Sequence, residues 1–139
     1  MKYATAKVPD GFSYITYQGV NIPQTCFTIT VSDHTSTQAL FYLDVAAHIE
    51  YDVGTSLPDY YRFDVTAPVD KQMLVPIFKL LTLQYTIRGG TVFYLNNLVV
   101  GTPFSITVTI DATISASGQQ TLTINHNQGG IIGGIVEYF

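Results

Sequence analysis

The sequence predicts an all-β protein: an antiparallel β-sandwich, specifically a single jelly roll of about eight strands with at most one short helix. Three observations carry this. Apolar residues recur at every second position in several separate stretches, which is the period of a strand with one face in a core. Turn residues interrupt those stretches about every ten positions. The 139 residues include 10 Tyr and 8 Phe but no Trp and one Cys, so the Trp and cysteine pair of an immunoglobulin-like core are missing.

The length suits one domain spanning residues 1–139, with 1–11 as an arm and 127–139 as a Gly-rich apolar tail. The arm is polar, lacks an apolar period and ends in the turn Pro9-Asp10-Gly11. Residues 12–17 form a short strand, and 19–24, with Pro23, a loop. In 26–32, Phe27, Ile29 and Val31 face one way and Thr28, Thr30 and Ser32 the other. The turn Asp33-His34-Thr35-Ser36 follows.

The longest alternating stretch is 41–53, FYLDVAAHIEYDV. At about 3.3 Å per residue it would run roughly 40 Å, about twice a usual strand. Such a strand crosses a whole sheet or bends between two. Its apolar face holds Phe41, Leu43, Val45, Ala47, Ile49, Tyr51 and Val53. Its other face holds Tyr42, Asp44, Ala46, His48, Glu50 and Asp52.

A loop at 54–59 leads to a strand at 60–67, closed by Pro68. Residues 73–78 read as an irregular or helical piece with Pro76 in its first turn, followed by a strand over 80–88. Gly89-Gly90 reads as a hairpin turn, and 91–95 with 98–100 as a second hairpin about Asn96-Asn97. Strands at 104–111 and 121–125 follow, separated by the turn Ser117-Gly118-Gln119. The chain finishes with a doubled Gly-Gly segment, 129–134, and an apolar end.

Charged residues are 12% of the chain, about half the ordinary share. A Thr- and Tyr-rich surface with so few charges is poorly protected against association, which points to outer faces covered by partners. The basic residues Lys2, Lys7, Arg62, Lys71, Lys79 and Arg88 are scattered and the net charge is −4, so a nucleic-acid surface is not expected. Cys26 reads as a buried structural thiol, and one cysteine excludes an intramolecular disulfide. MKYATAKVPDGF lacks the apolar centre of a signal peptide, so folding in the cytoplasm is expected. No stretch reads as a membrane-spanning helix.

No catalytic or metal motif stands out, and no cofactor or small-molecule substrate is expected. Ser32, Asp33, His34 and Ser36 have the residue types of a hydrolytic triad, but neighbours in one turn cannot adopt its geometry. His48 with Glu50 could contribute to a metal or pH-sensitive site, since alternate strand positions share a face; a solvated or interface face is the plainer reading. Asp52 and Asp59 would need a third ligand from elsewhere. The paired glycines do not follow a strand-turn-helix pattern, so a phosphate loop is not expected.

The long strand at 41–53, the Thr-rich strands at 27–31 and 104–110 and the uncharged Gly-rich end resemble single jelly-roll capsid and penton-type proteins of icosahedral viruses. The resemblance spans roughly residues 12–125 and is one of strand pattern. The chain lacks the basic arm of small RNA-virus capsid proteins, so it is more similar to the DNA-virus type. The resemblance implies a non-enzymatic structural role in a virion assembled in the host cytoplasm. Its partners would be copies of itself and other capsid proteins, with an internal membrane or membrane protein as a neighbour. The candidate subunit-contact residues are Tyr42, Asp44, His48, Glu50, Ile131, Ile132, Tyr138 and Phe139. A carbohydrate-binding or adhesive β-sandwich is the alternative, with Tyr60-Tyr61 or Tyr14 and Tyr17 as stacking platforms.

Overall fold

The alternation in the longest strand is realised in a computed structural model, which describes residues 1–17, 22–55, 58–78, 84–112 and 118–139. The chain runs β1 (Lys2–Lys7), β2 (Ser13–Tyr17), β3 (Gln24–Val31), β4 (Ala39–Tyr51), β5 (Tyr60–Thr66), β6 (Lys71–Phe78), β7 (Gln84–Leu95), β8 (Phe104–Asp111), β9 (Gln119–Thr123) and β10 (Ile131–Tyr138). One 3-10 turn, His126–Gln128, precedes β10.

Eight strands form four nested antiparallel pairs: β1 with β10, β3 with β8, β4 with β7 and β5 with β6. One sheet has the order β1-β10-β4-β7, the other β3-β8-β5-β6. This wrapping of a folded-over hairpin into two layers is a jelly roll. The short strands β2 and β9 pair with each other, and β9 adds to β4. All pairings among the described residues are antiparallel, and the fold is the expected all-β sandwich.

Strand β4 is the central member of the first sheet. On one side it pairs with β7 along nearly its whole length. On the other, β10 pairs with its first half and β9 with its last residues. Phe41, Leu43, Val45, Ala47 and Ile49 are buried, as the period requires. The strand starts two residues earlier than expected and ends at Tyr51; Val53 lies beyond it and is 82% exposed. It remains in one sheet. The strand shared between layers is β6, which pairs with β5 over 71–76 and with β7 at Ile77 and Phe78.

Several local expectations are overturned. The segment 1–11 is not an arm, because Lys2–Lys7 pairs in register with β10. Nor is the Gly-rich end a tail: Ile131–Tyr138 lies between β1 and β4, where its backbone groups find partners. The expected helical piece at 73–78 belongs to strand β6, whose Met73 and Val75 are buried while Leu74 and Pro76 are exposed. That is a period of two, and it overrides the Pro signal. Gly89-Gly90 is not a turn but lies inside β7. At Gly89 a Cβ would come within 3.2 Å of the Val75 side chain, so the missing side chain lets β6 cross closely over β7. Asn97 does take a positive φ of 57°, but no strand follows it; Leu98 N–H donates to the Thr37 carbonyl at 3.0 Å instead. The expected loop at 19–24 and turn at 117–119 fall partly outside the described residues, as does the first half of the strand expected over 80–88.

The core lies between the inner faces of the two sheets. Phe41, Leu43, Val45, Ile87, Ile132 and Val136 from the first layer pack with Ile29, Phe63, Val65, Ile106, Val108 and Ile110 from the second. Three tyrosines are buried with their hydroxyls inside. Tyr85 donates to Gln120 Oε1 at 2.6 Å, and Tyr14 accepts from the Ala112 N–H at 3.3 Å. Burial pushes the Tyr14 phenol up to about 12 and raises those of Tyr61 and Tyr85 further. Cys26 is half-buried rather than fully buried, and desolvation pushes its thiol up to about 12.

Candidate subunit-contact face

Paired residues in antiparallel strands share a face, so the register gives the outer surface of the first sheet row by row. One row crosses Tyr3, Glu137, Leu40 and Tyr94. The next crosses Thr5, Ile135, Tyr42 and Val92, and the third Lys7, Gly133, Asp44 and Gly90. Below these lie Ile131, Ala46 and Arg88, then Thr123, His48 and Thr86, then Thr121 and Glu50.

The face is divided. Its first two rows are largely apolar and open: Tyr3 is 63% exposed, Tyr94 53%, Val92 50% and Ile135 42%. Its lower rows carry Asp44, Arg88, His48 and Glu50. Between the halves, glycines flank Asp44 on both neighbouring strands. Beside Gly133 lies a shallow cavity of about 520 Å³ lined by Lys7, Tyr42, Asp44, Ile131 and Ile135. A second cavity of about 330 Å³ lies where the neighbour of β4 changes from β10 to β9, lined by His48, Arg88, Thr123, Asn125 and Gln128.

Polar contacts on this face are few. Tyr42 donates to Glu137 Oε2 at 3.0 Å, and that bond to a carboxylate raises the Tyr42 phenol. His48 Nε2 lies 3.6 Å from Glu50 Oε1, with both side chains substantially exposed.

The structure brings Tyr42, Asp44, His48 and Glu50 onto one outer face, with Ile131 beside them and half-buried. It does not bring the other candidates there. Ile132 is fully buried in the chain's own core, and Tyr138 packs against that core. Phe139 is exposed at the sheet end, where its carbonyl accepts from Thr35 N–H at 2.6 Å. Sequence reasoning missed Tyr3, Leu40, Val92, Tyr94 and Ile135, because their adjacency to Tyr42 exists only through strand register. Of the tyrosines considered for sugar stacking, Tyr14 and Tyr61 are buried; Tyr60 is exposed. Among the described residues, no group of three or more His, Cys, Asp or Glu side chains comes together.

No protein-family model matches the chain, and no curated protein matches it. Among solved structures the chain is similar to one in the structure of infectious bursal disease virus strain Gx, with 15% identity and a TM-score of 0.46. It is also similar to one in the structure of the Gt strain of that virus, with 14% identity and a TM-score of 0.40. Each likeness covers 99% of this chain and 36% of the viral chain, so the chain spans about a third of the length of those proteins.

Proposed function

We propose that this chain is a structural subunit of a viral capsid that acts through protein–protein contacts on the outer face of its first sheet. The observation that supports this best is the makeup of that face. Four large apolar side chains stand open in its first two rows, Tyr3 and Ile135 towards one edge and Val92 and Tyr94 towards the other, with Leu40 and Tyr42 of β4 between them, in a protein with only 12% charged residues. Several large apolar side chains exposed on one sheet face support an interaction site there. The jelly roll hosts capsid and lectin domains alike, so the fold does not choose between them. The sugar-binding alternative loses two of its proposed stacking rings, Tyr14 and Tyr61, to the core. Partners on this reading are copies of the chain and other shell proteins, in a virion. A role in a DNA virus with an internal membrane follows from the strand-pattern resemblance alone.

The test is association in solution. Light scattering and sedimentation should show oligomers that grow with concentration. A strict monomer at high concentration, together with a specific hit on a glycan array, would replace this reading with the lectin one.

A further inference from the structure

His34 sits at one end of the sandwich, in the connection between β3 and β4, and only 2% of it is exposed. Its Nδ1 lies 2.8 Å from the Ser36 carbonyl oxygen, and its Nε2 lies 2.8 Å from that of Thr102. A carbonyl oxygen can only accept, so each contact needs an N–H on the ring. Neutral imidazole carries one; only imidazolium carries two. Turning the ring over would place carbon against both oxygens. Its edge-to-face contact with Phe104, centroids 5.2 Å apart, holds its orientation.

We infer that His34 ties two loops of the sandwich together as an imidazolium, so that this end is closed in mild acid and loosens when one ring proton leaves. The loops are 32–38 and 96–103. Two backbone bonds share their junction: Gly101 N–H donates to the His34 carbonyl at 3.2 Å and Leu98 N–H to that of Thr37 at 3.0 Å. Losing the proton leaves a bare nitrogen facing a carbonyl oxygen, two lone pairs in contact, and one of the two ring bonds breaks. The loop 96–103 contains no ionisable residue. On the other segments at this end the ionisable groups are Asp33 in the same loop, Lys2 and the Met1 amino group at β1, Tyr94 on β7, Glu137 and Tyr138 on β10, and the carboxyl of Phe139, an oxygen of which accepts from Thr35 N–H, next to His34 in sequence. None of them hydrogen-bonds or ion-pairs with the ring, and Glu137 accepts from Tyr42. The two carbonyls are the groups in direct contact with the ring nitrogens.

The test uses the intact protein. Nitrogen NMR of the His34 ring, followed from pH 5 to pH 9, should show two protonated nitrogens at the acid end and one at the other. Over the same range the Gly101 and Leu98 amides, corrected for intrinsic exchange, should lose protection about tenfold. A ring with an unchanged proton count throughout overturns the inference, as does a ring that titrates while both amides keep their protection. In His34→Asn, which cannot titrate, protection at these amides should no longer depend on pH; a pH dependence equal to that of the parent protein would also overturn it.

Discussion

Arg62 Nη2 lies 2.7 Å from Asp111 Oδ2, directly across the β5/β8 pair, and the Asp111 side chain is only 5% exposed. Arg62 Nε also lies 3.1 Å from Asp64 Oδ1. Removing the guanidinium strands a buried carboxylate. Arg62→Ala should destabilise the protein by about 2 kcal/mol, less than a fully buried pair because Arg62 is 37% exposed. Arg62→Ala combined with Asp111→Ala should recover part of that loss. Denaturant titration of the singles and the double separates a real coupling from additive truncation.

Gly134 lies in the first sheet with its hydrogen side against Phe41. A Cβ there would run into the Phe41 ring, with Phe27 Cζ at 3.1 Å. Gly134→Ala should therefore cost about 2 kcal/mol through overpacking. Gly133→Ala should cost less, because its nearest obstacle is Lys7 Cβ at 3.1 Å on the neighbouring strand β1. Thermal melting of the two variants tests the order; equal losses would show that the Phe41 ring moves aside freely.

Desolvation raises the Cys26 thiol from 9.0 to about 12. At pH 8 the native thiol should react with iodoacetamide at least about a hundredfold more slowly than the unfolded chain, since the thiolate fraction falls tenfold each time the pKa rises by one. The neutral form is the favoured one, so its stabilising contribution is complete below pH 9 and fades as the pH rises towards about 12. The parent protein should lose stability over that interval relative to Cys26→Ala.

The two halves of the outer sheet face should separate by mutation. Tyr94→Lys or Val92→Lys should weaken oligomer formation with little change in melting temperature, because both side chains already stand in solvent. Asp44→Ala and His48→Ala should shift the salt dependence of association. Parallel loss of melting temperature would identify the face as part of the fold rather than as a contact.

The strands legible in the sequence were those whose two faces meet different surroundings. In β3, β4, β5 and β8 one face enters the core and the other meets water, so the period of two survives in the residues. Strand β6 hid because it passes from one layer to the other and carries Pro76, which resembles a helix start. Gly89 and Gly90 resembled a turn because Gly-Gly chemistry is the same whether the backbone reverses or a neighbour needs room; here the neighbours are the Val75 side chain at Gly89 and the Leu43 carbonyl at Gly90. The ends were misread for another reason. Nothing near Lys2 or Tyr138 shows that they pair with each other. The candidate face was half legible: β4 displayed its polar side, while the apolar rows were dispersed over β1, β7 and β10. His34 stood out only by its neighbours Asp33 and Ser36; its contact with Thr102, 68 residues away, left no trace in the sequence.

The nested pairing also sets a path through time. Pair β5/β6 is joined by the shortest connection, and β4/β7, β3/β8 and β1/β10 enclose it in turn. Each pair that closes shortens the effective loop for the next, so the entropy cost of distant contacts is met in stages. Folding should zip outward from β5/β6. Substitutions in the inner pair, such as Phe63→Leu, should chiefly slow folding, and those in the outer pair, such as Val136→Ala, should chiefly speed unfolding. Chevron kinetics giving equal partition for both would show that the wrapping closes all at once.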